Sequence, residues 1–140
     1  MTRFVIDANI IISMLISGKA AYRPLLSLYE FYTSEFSLEE IEKYKPLIFE
    51  KSRLNDIEFR NFAIFVYSNL TILPNLIVSK EALRKAVQLT HNIDIKDVSY
   101  VSLALELDLV LLTRDRVLTT GLRKKGFRKV MLFEDFLSNF

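Results

Sequence analysis

Cysteine is absent from the 140 residues, and histidine occurs once, at His91. The missing thiols exclude a disulfide framework and a thiolate zinc site, and one imidazole cannot build a histidine cluster. Any metal held by side chains must therefore be held by oxygen. Glycine and proline number three each, which favours ordered helices over long loops. No apolar run approaches the roughly 18 residues of a membrane span. The opening Met1-Thr2-Arg3 runs straight into Phe4-Val5-Ile6-Asp7, without the apolar region of a secretory leader. Internal repeats, low-complexity tracts and linkers are also missing. These absences lead us to expect a soluble, unprocessed, cytoplasmic protein with no membrane partner.

What remains is 51% hydrophobic and 26% charged, enough apolar material for one well-filled core and too little chain for two ordinary domains. A single domain over residues 1–140 is expected. The net charge of +2 says little by itself. Its distribution says more: Arg114, Arg116, Arg123, Lys124, Lys125, Arg128 and Lys129 crowd one stretch against a single acid, Asp115. Such a stretch could be a solvated helix face with a basic loop, or a local positive field for a polyanion.

Hydrophobic periodicity predicts alternating strands and helices. Strands are expected at 4–6, 29–33, 71–73, 109–112 and 130–133. The run Leu109-Val110-Leu111-Leu112, apolar throughout, suits a strand covered on both faces. Helices are expected at 10–16 with Gly18 as the stop, at 22–28, at 38–51 with Pro46 kinking or splitting it, and at 55–68. Further helices are expected at 79–91, from 94 onward, from 115 to 125, and at the C-terminus. Strands separated by helices throughout imply an α/β domain: a mostly parallel sheet of about five strands with helices on both faces.

In such sheets, functional groups gather beyond the carboxyl ends of the strands, near the point where strand order reverses. Asp7 ends the first strand and Asp115 lies just past the fourth. Glu40 falls in the first turn of the helix after the second strand, and Asp97 near the start of the helix leading to the fourth. Each acid also has an ordinary structural use. Asp7 and Asp115 could be helix N-caps, Ser37-x-x-Glu40 reads as a capping box, and Asp97 could favour a helix dipole with Asp94 as the cap. Glu39 and Asp94 are neighbours that could stand in for Glu40 and Asp97.

The order of these acids and their surroundings resembles the PIN-domain family. Phe4-Val5-Ile6-Asp7-Ala8-Asn9-Ile10-Ile11 looks like that family's opening, an apolar strand running into Asp-x-Asn. Thr33-Ser34-Glu35-Phe36-Ser37-Leu38-Glu39-Glu40-Ile41 resembles its second block, a Glu before an aliphatic residue on a helix. Asp97-Val98-Ser99-Tyr100-Val101-Ser102-Leu103-Ala104, then residues 109–112 and Thr113-Arg114-Asp115, are similar to the third and fourth. The likeness spans nearly the whole chain. It departs from many toxins of the VapC type after Asp115, where Arg116, Val117 and Leu118 follow instead of a further acid. That puts a fifth ligand, and with it a second metal site, in doubt.

The resemblance implies a metal-dependent endoribonuclease in which Asp7, Glu40, Asp97 and Asp115 hold Mg²⁺ or Mn²⁺. Asn9 and Thr113 would orient those carboxylates, and Arg114, Arg116, Arg123, Lys124 and Lys125 would hold the RNA backbone. It leaves a toxin of a toxin–antitoxin pair and a housekeeping enzyme both open, and beside them a PIN-like module that binds RNA or protein without cutting. The Phe-rich residues 59–67 are the candidate surface for a homodimer or an antitoxin, with core packing as the alternative. Tyr22 and Tyr100 could stack on a base, although core packing suits both better. A receiver-type phosphoacceptor and an Asp-x-Asp phosphatase both fail where Asp7 is followed by Ala8 and Asn9.

Overall fold

A computed structural model describes residues 2–139. The chain opens with strand β1 (Arg3–Ile6), whose last three residues are buried, and passes through Asp7 into helix α1 (Ala8–Ser17). Gly18 ends α1 in the left-handed region (φ 57°), which costs glycine no Cβ clash. Helix α2 (Tyr22–Leu28) leads to β2 (Glu30–Ser34), and α3 (Phe36–Lys43) and α4 (Lys45–Lys51) follow. Of the two outcomes expected at Pro46 over 38–51, a kink or a split, the chain takes the split. Pro46 sits in the first turn of α4, where its missing N–H is not needed.

Helix α5 (Asp56–Ser68) begins with a full capping box between Asn55 and Glu58 and leads into β3 (Leu70–Leu73). After a 3-10 turn at Asn75–Ile77 come α6 (Lys80–Thr90), a second 3-10 turn at Ile95–Asp97, and α7 (Val98–Leu107). The helix expected from Asp94 therefore starts later, after that turn. Strand β4 (Val110–Thr113), α8 (Arg116–Lys124), β5 (Val130–Leu132) and α9 (Phe133–Ser138) complete the fold.

All four strand pairings are parallel, in the order β3-β2-β1-β4-β5. The chain moves from β1 outward to β2 and β3, then crosses back to β4 and β5, so strand order reverses between β1 and β4. Right-handed crossovers put α1–α5 on one face and α6–α8 on the other. The packing agrees: α1 meets α3, α4 and α5, while α6 meets α7 and α8. The core runs through both layers, from Val5, Ile6, Leu111 and Leu112 in the central strands to Ile10, Met14, Leu103 and Leu118 in the flanking helices. No described helix is long and apolar enough to cross a membrane.

The Phe-rich stripe on α5 is mostly core, as the alternative reading had it. Phe62 and Val66 are buried, and Arg23 lies over the Phe65 ring at 4.8 Å. Ile64, 55% exposed, is the apolar residue on that stretch that faces outward.

Candidate active site

The reversal between β1 and β4 opens a crevice at the carboxyl edge of the sheet, and both central strands deliver an aspartate to it. Asp7 caps α1: its Oδ1 accepts the Ile10 N–H at 3.3 Å, and its Oδ2 accepts the Thr113 hydroxyl at 2.7 Å. Thr113, fully buried at the end of β4, also accepts the Asp115 N–H at 3.1 Å. Asp115 caps α8, its Oδ1 accepting the Leu118 N–H at 3.0 Å. One threonine thus ties the two aspartates across neighbouring strands. For Asp7 and Asp115 the capping role is real, and it fixes the direction in which each carboxylate leaves the sheet.

The capping box considered for Glu40 is absent, and Asp97 stands at the start of α7, where its charge favours the helix dipole without a side-chain cap bond. Helix α3 begins at Phe36, so Ser37 lies inside its first turn, and its buried hydroxyl has no hydrogen-bond partner. Ser34 supplies the turn instead, its Oγ accepting the Phe36 N–H at 3.1 Å. Freed of a capping box, Glu40 accepts the Tyr100 hydroxyl from α7 at 2.6 Å. Asp97 makes no cap either. Asp94 builds that turn, its Oδ1 accepting the Lys96 N–H and its carbonyl the Asp97 N–H, each at 3.1 Å. Asp97 is buried, and its Oδ2 has no hydrogen-bond partner.

Electrostatics join the four acids. Burial pushes the Asp7 carboxyl from its ordinary 3.8 up to about 6 against its hydrogen bonds to Thr113 and Ile10, with the Glu40 and Asp115 charges raising it further. Burial likewise pushes Asp97 from 3.8 to about 7, helped by the negative charges of Asp94, Asp7 and Asp115 and opposed by Lys96. The Tyr100 phenol is raised by burial first, then by its bond to Glu40 and the charges of Glu40 and Asp7. Carboxylates that repel one another in a dry crevice need a cation. Among the described residues, no three His, Cys, Asp or Glu side chains stand together so that they could hold a metal ion as they lie. In kind, the donor set fits a hard divalent ion: it is all oxygen, carries surplus negative charge, and includes one buried carboxylate oxygen with nothing to bond.

The other predicted residues separate into near and far. Asn9 is exposed and lines a shallow depression with Ile12, Ser13, Arg114 and Asp115. Arg114 is held there by a hydrogen bond to Ser13 on α1. Arg116 is exposed at the start of α8 and paired with Glu134 at 2.6 Å. Arg123, Lys124 and Lys125 lie at the other end of α8, roughly 10–15 Å from its start at 1.5 Å per residue. There Arg123 donates to the Val130 carbonyl at 3.0 Å, and Lys125 to carbonyls at the end of α6, including that of Leu89 at 3.1 Å. The structure does not bring these three to the carboxylate edge. The partners that sequence reasoning missed are Ser13, which steadies Arg114, and Tyr100, considered for stacking or core packing and found holding Glu40. The separation of 60 residues between Tyr100 and Glu40 gives no local signal.

Solved structures of similar fold include the protein PAE2754 from Pyrobaculum aerophilum, at 19% identity and TM-score 0.68, covering 99% of this chain and 88% of that one. A toxin–antitoxin complex from Klebsiella pneumoniae matches at 17% identity and TM-score 0.57, covering 91% and 94%. VapBC2 from Rickettsia felis, bound to a DNA fragment from its promoter, matches at 15% identity and TM-score 0.59, covering 94% and 97%. No curated protein sequence matches. The family model of the PIN domain matches residues 5–134, a span that holds all four acids, and the chain belongs to the PIN-domain family.

Proposed function

We propose that this protein is a Mg²⁺- or Mn²⁺-dependent endoribonuclease that hydrolyses RNA phosphodiester bonds, acting as the toxin of a toxin–antitoxin pair. The observation that carries the reading is Asp97: a buried carboxylate whose Oδ2 has no bonding partner, beside Asp7 and Asp115, at the crevice where strand order reverses. A buried carboxylate oxygen without a partner is costly; a proton relieves part of that cost, and a cation would relieve it while the carboxylate keeps its charge.

Asp7, Glu40, Asp97 and Asp115 would hold the ion. When bound, it supplies an acidified water and neutralises charge on the phosphate. Thr113 fixes Asp7 and Asp115, and Tyr100 fixes Glu40. Arg114 and Arg116 would hold the phosphates of a single strand at the crevice mouth. The toxin assignment draws support from the VapBC2 and Klebsiella toxin–antitoxin likenesses, and the RNA substrate would place its action in the cytoplasm. The outward apolar residues Phe49 and Ile64, on either side of the α4–α5 groove, would serve a homodimer or an antitoxin.

The test is cleavage of single-stranded RNA with Mn²⁺ and with EDTA, beside Asp7→Asn and Asp97→Asn. Cleavage that needs Mn²⁺ and is lost in both variants is expected. Equal cleavage by wild type and both variants would sink the assigned site. A folded wild type that binds RNA but never cuts it, whichever metal is supplied, would favour the non-catalytic PIN-fold binding module.

A further inference from the structure

Beside the carboxylate edge lies a half-open cleft of about 560 Å³, between α1, the loop after it, the α4–α5 connection and α9. Its floor is aromatic and aliphatic: Tyr22, Phe133 and Leu137. Its rim carries Lys19, Arg53 and Arg114, and within it the Ser17 hydroxyl is buried without a hydrogen-bond partner. Among the described residues Lys19 and Arg53 have no ion-pair partner. The one acid at the rim, Glu134, is already neutralised by Arg116.

Lys19 and Arg53 are distant in sequence, and a specific contact joins them. The Arg53 N–H donates to the Ile16 carbonyl at 3.1 Å, and Leu54 packs so closely on Gly18 that a Cβ there would meet its side chain at 2.6 Å. Two loops are thereby locked with one cation each at the cleft mouth. Arg114 joins this cleft to the site, because it also lines the depression that holds Asn9 and Asp115.

We infer that this cleft is a nucleotide subsite: Lys19 and Arg53 take the phosphates of the RNA strand on one side of the cleaved bond, and the apolar floor receives a base or ribose. The inference rests on the ribonuclease reading and assigns the path its substrate follows. An anionic group with a flat apolar partner matches this lining, and continuity through Arg114 leads it to the carboxylates. An acidic peptide would satisfy the cations but has no use for the aromatic floor.

The test is anisotropy of a fluorescein-labelled single-stranded RNA octamer in EDTA, where nothing is cut, at low and moderate salt. Lys19→Ala and Arg53→Ala should each weaken binding about three- to tenfold, and the double variant should lower the salt slope by about two. Both side chains are exposed, so the variants should melt like wild type, and the charge-keeping pair Lys19→Arg and Arg53→Lys should bind nearly as wild type. Lys124→Ala, at the far end of α8, should change nothing. If wild type cuts RNA while the double variant binds it equally well, the subsite is wrong and the nuclease reading stands. If wild type neither binds nor cuts RNA, both fall. If an oligoglutamate peptide binds as tightly, with the same dependence on Lys19 and Arg53, the cleft is a peptide site and the inference is overturned.

Discussion

Replacing Asp97 with Asn should remove activity and at the same time make the metal-free protein harder to unfold. The folded carboxyl titrates near 7 instead of 3.8, roughly three units at about 1.4 kcal/mol each, which sets a ceiling of about 4 kcal/mol. The effective dielectric of protein sites damps such interactions well below that ceiling, so a gain of about 1–2 kcal/mol is the realistic figure. Because the folded pKa is the higher one, the native state holds the proton more tightly. The carboxyl costs nothing below about pH 4, and its full penalty is reached only above about pH 7. Thermal unfolding in EDTA should therefore show Asp97→Asn melting roughly 4–8 °C above wild type at about pH 8. At about pH 4.5 the gain should shrink to about a quarter of that. Saturating Mn²⁺ should reverse the order, adding about 3 kcal/mol to wild type at a hundred times its Kd and little to the variant. Equal melting of the two proteins at both pH values, or a gain that ignores pH, would show that Asp97 is not a strained anion and would refute the argument.

Three further substitutions probe the supports of the site. Thr113→Val removes the hydroxyl that donates to Asp7 and accepts from Asp115; it should cost about 1–2 kcal/mol and push Asp7 above its value of about 6. Proton release on Mn²⁺ binding should then move to higher pH, and an unmoved profile would count against the role given to Thr113. Tyr100→Phe frees Glu40 and should lower Mn²⁺ affinity about tenfold at about 1 kcal/mol of stability, both read by titration calorimetry and urea unfolding; unchanged affinity would leave Glu40 outside the metal site. Gly18→Ala meets both a left-handed φ of 57° and the Leu54 side chain at 2.6 Å; about 2–3 kcal/mol should be lost. RNA binding should fall with it as the Lys19 and Arg53 loops part, whereas full binding by the folded variant would argue against the lock.

The fold was largely legible because its signals are local. Residues 109–112 read as a doubly covered strand, found at Val110–Thr113, and Asp7 at the end of an apolar strand marked the carboxyl edge of a parallel sheet. Pro46, expected to kink or split its helix, splits it, because the first turn of a new one accommodates proline without losing a hydrogen bond. The exceptions have physical causes. Ser37-x-x-Glu40 reads as a capping box, but Ser34 and Glu35 start α3 earlier and carry the serine inside. The basic run from Arg114 to Lys129 could be one field or a solvated helix face with a basic loop. In the fold it runs along α8 and past its end, where Arg123 and Lys125 are occupied by the Val130 carbonyl and the end of α6. Sequence proximity is a poor guide to charge clustering on a helix that runs away from the site. Lys19 and Arg53, which line the cleft with Arg114, come from separate loops that the Arg53–Ile16 hydrogen bond and the Gly18–Leu54 contact bring together.

The two kinds of acid in the quartet divide its labour. Asp7 and Asp115 each commit an oxygen to a helix N-terminus, so their positions are set by the same hydrogen bonds that start α1 and α8. Removing either should therefore harm folding as well as chemistry, and loss of activity alone is weak evidence for a ligand at those positions. Asp97 has no such bond, and Glu40 bonds a phenol. Glu40 starts no helix, Asp97 stands at the start of α7 without bonding it, and the burial of Asp97 works against stability. A carboxylate that costs the fold more than it contributes is better evidence of function than one that serves both. By that criterion Asp97 is the most informative member of the site, and Glu40, relieved of the capping role its neighbourhood suggested, stands closer to it than to the two caps.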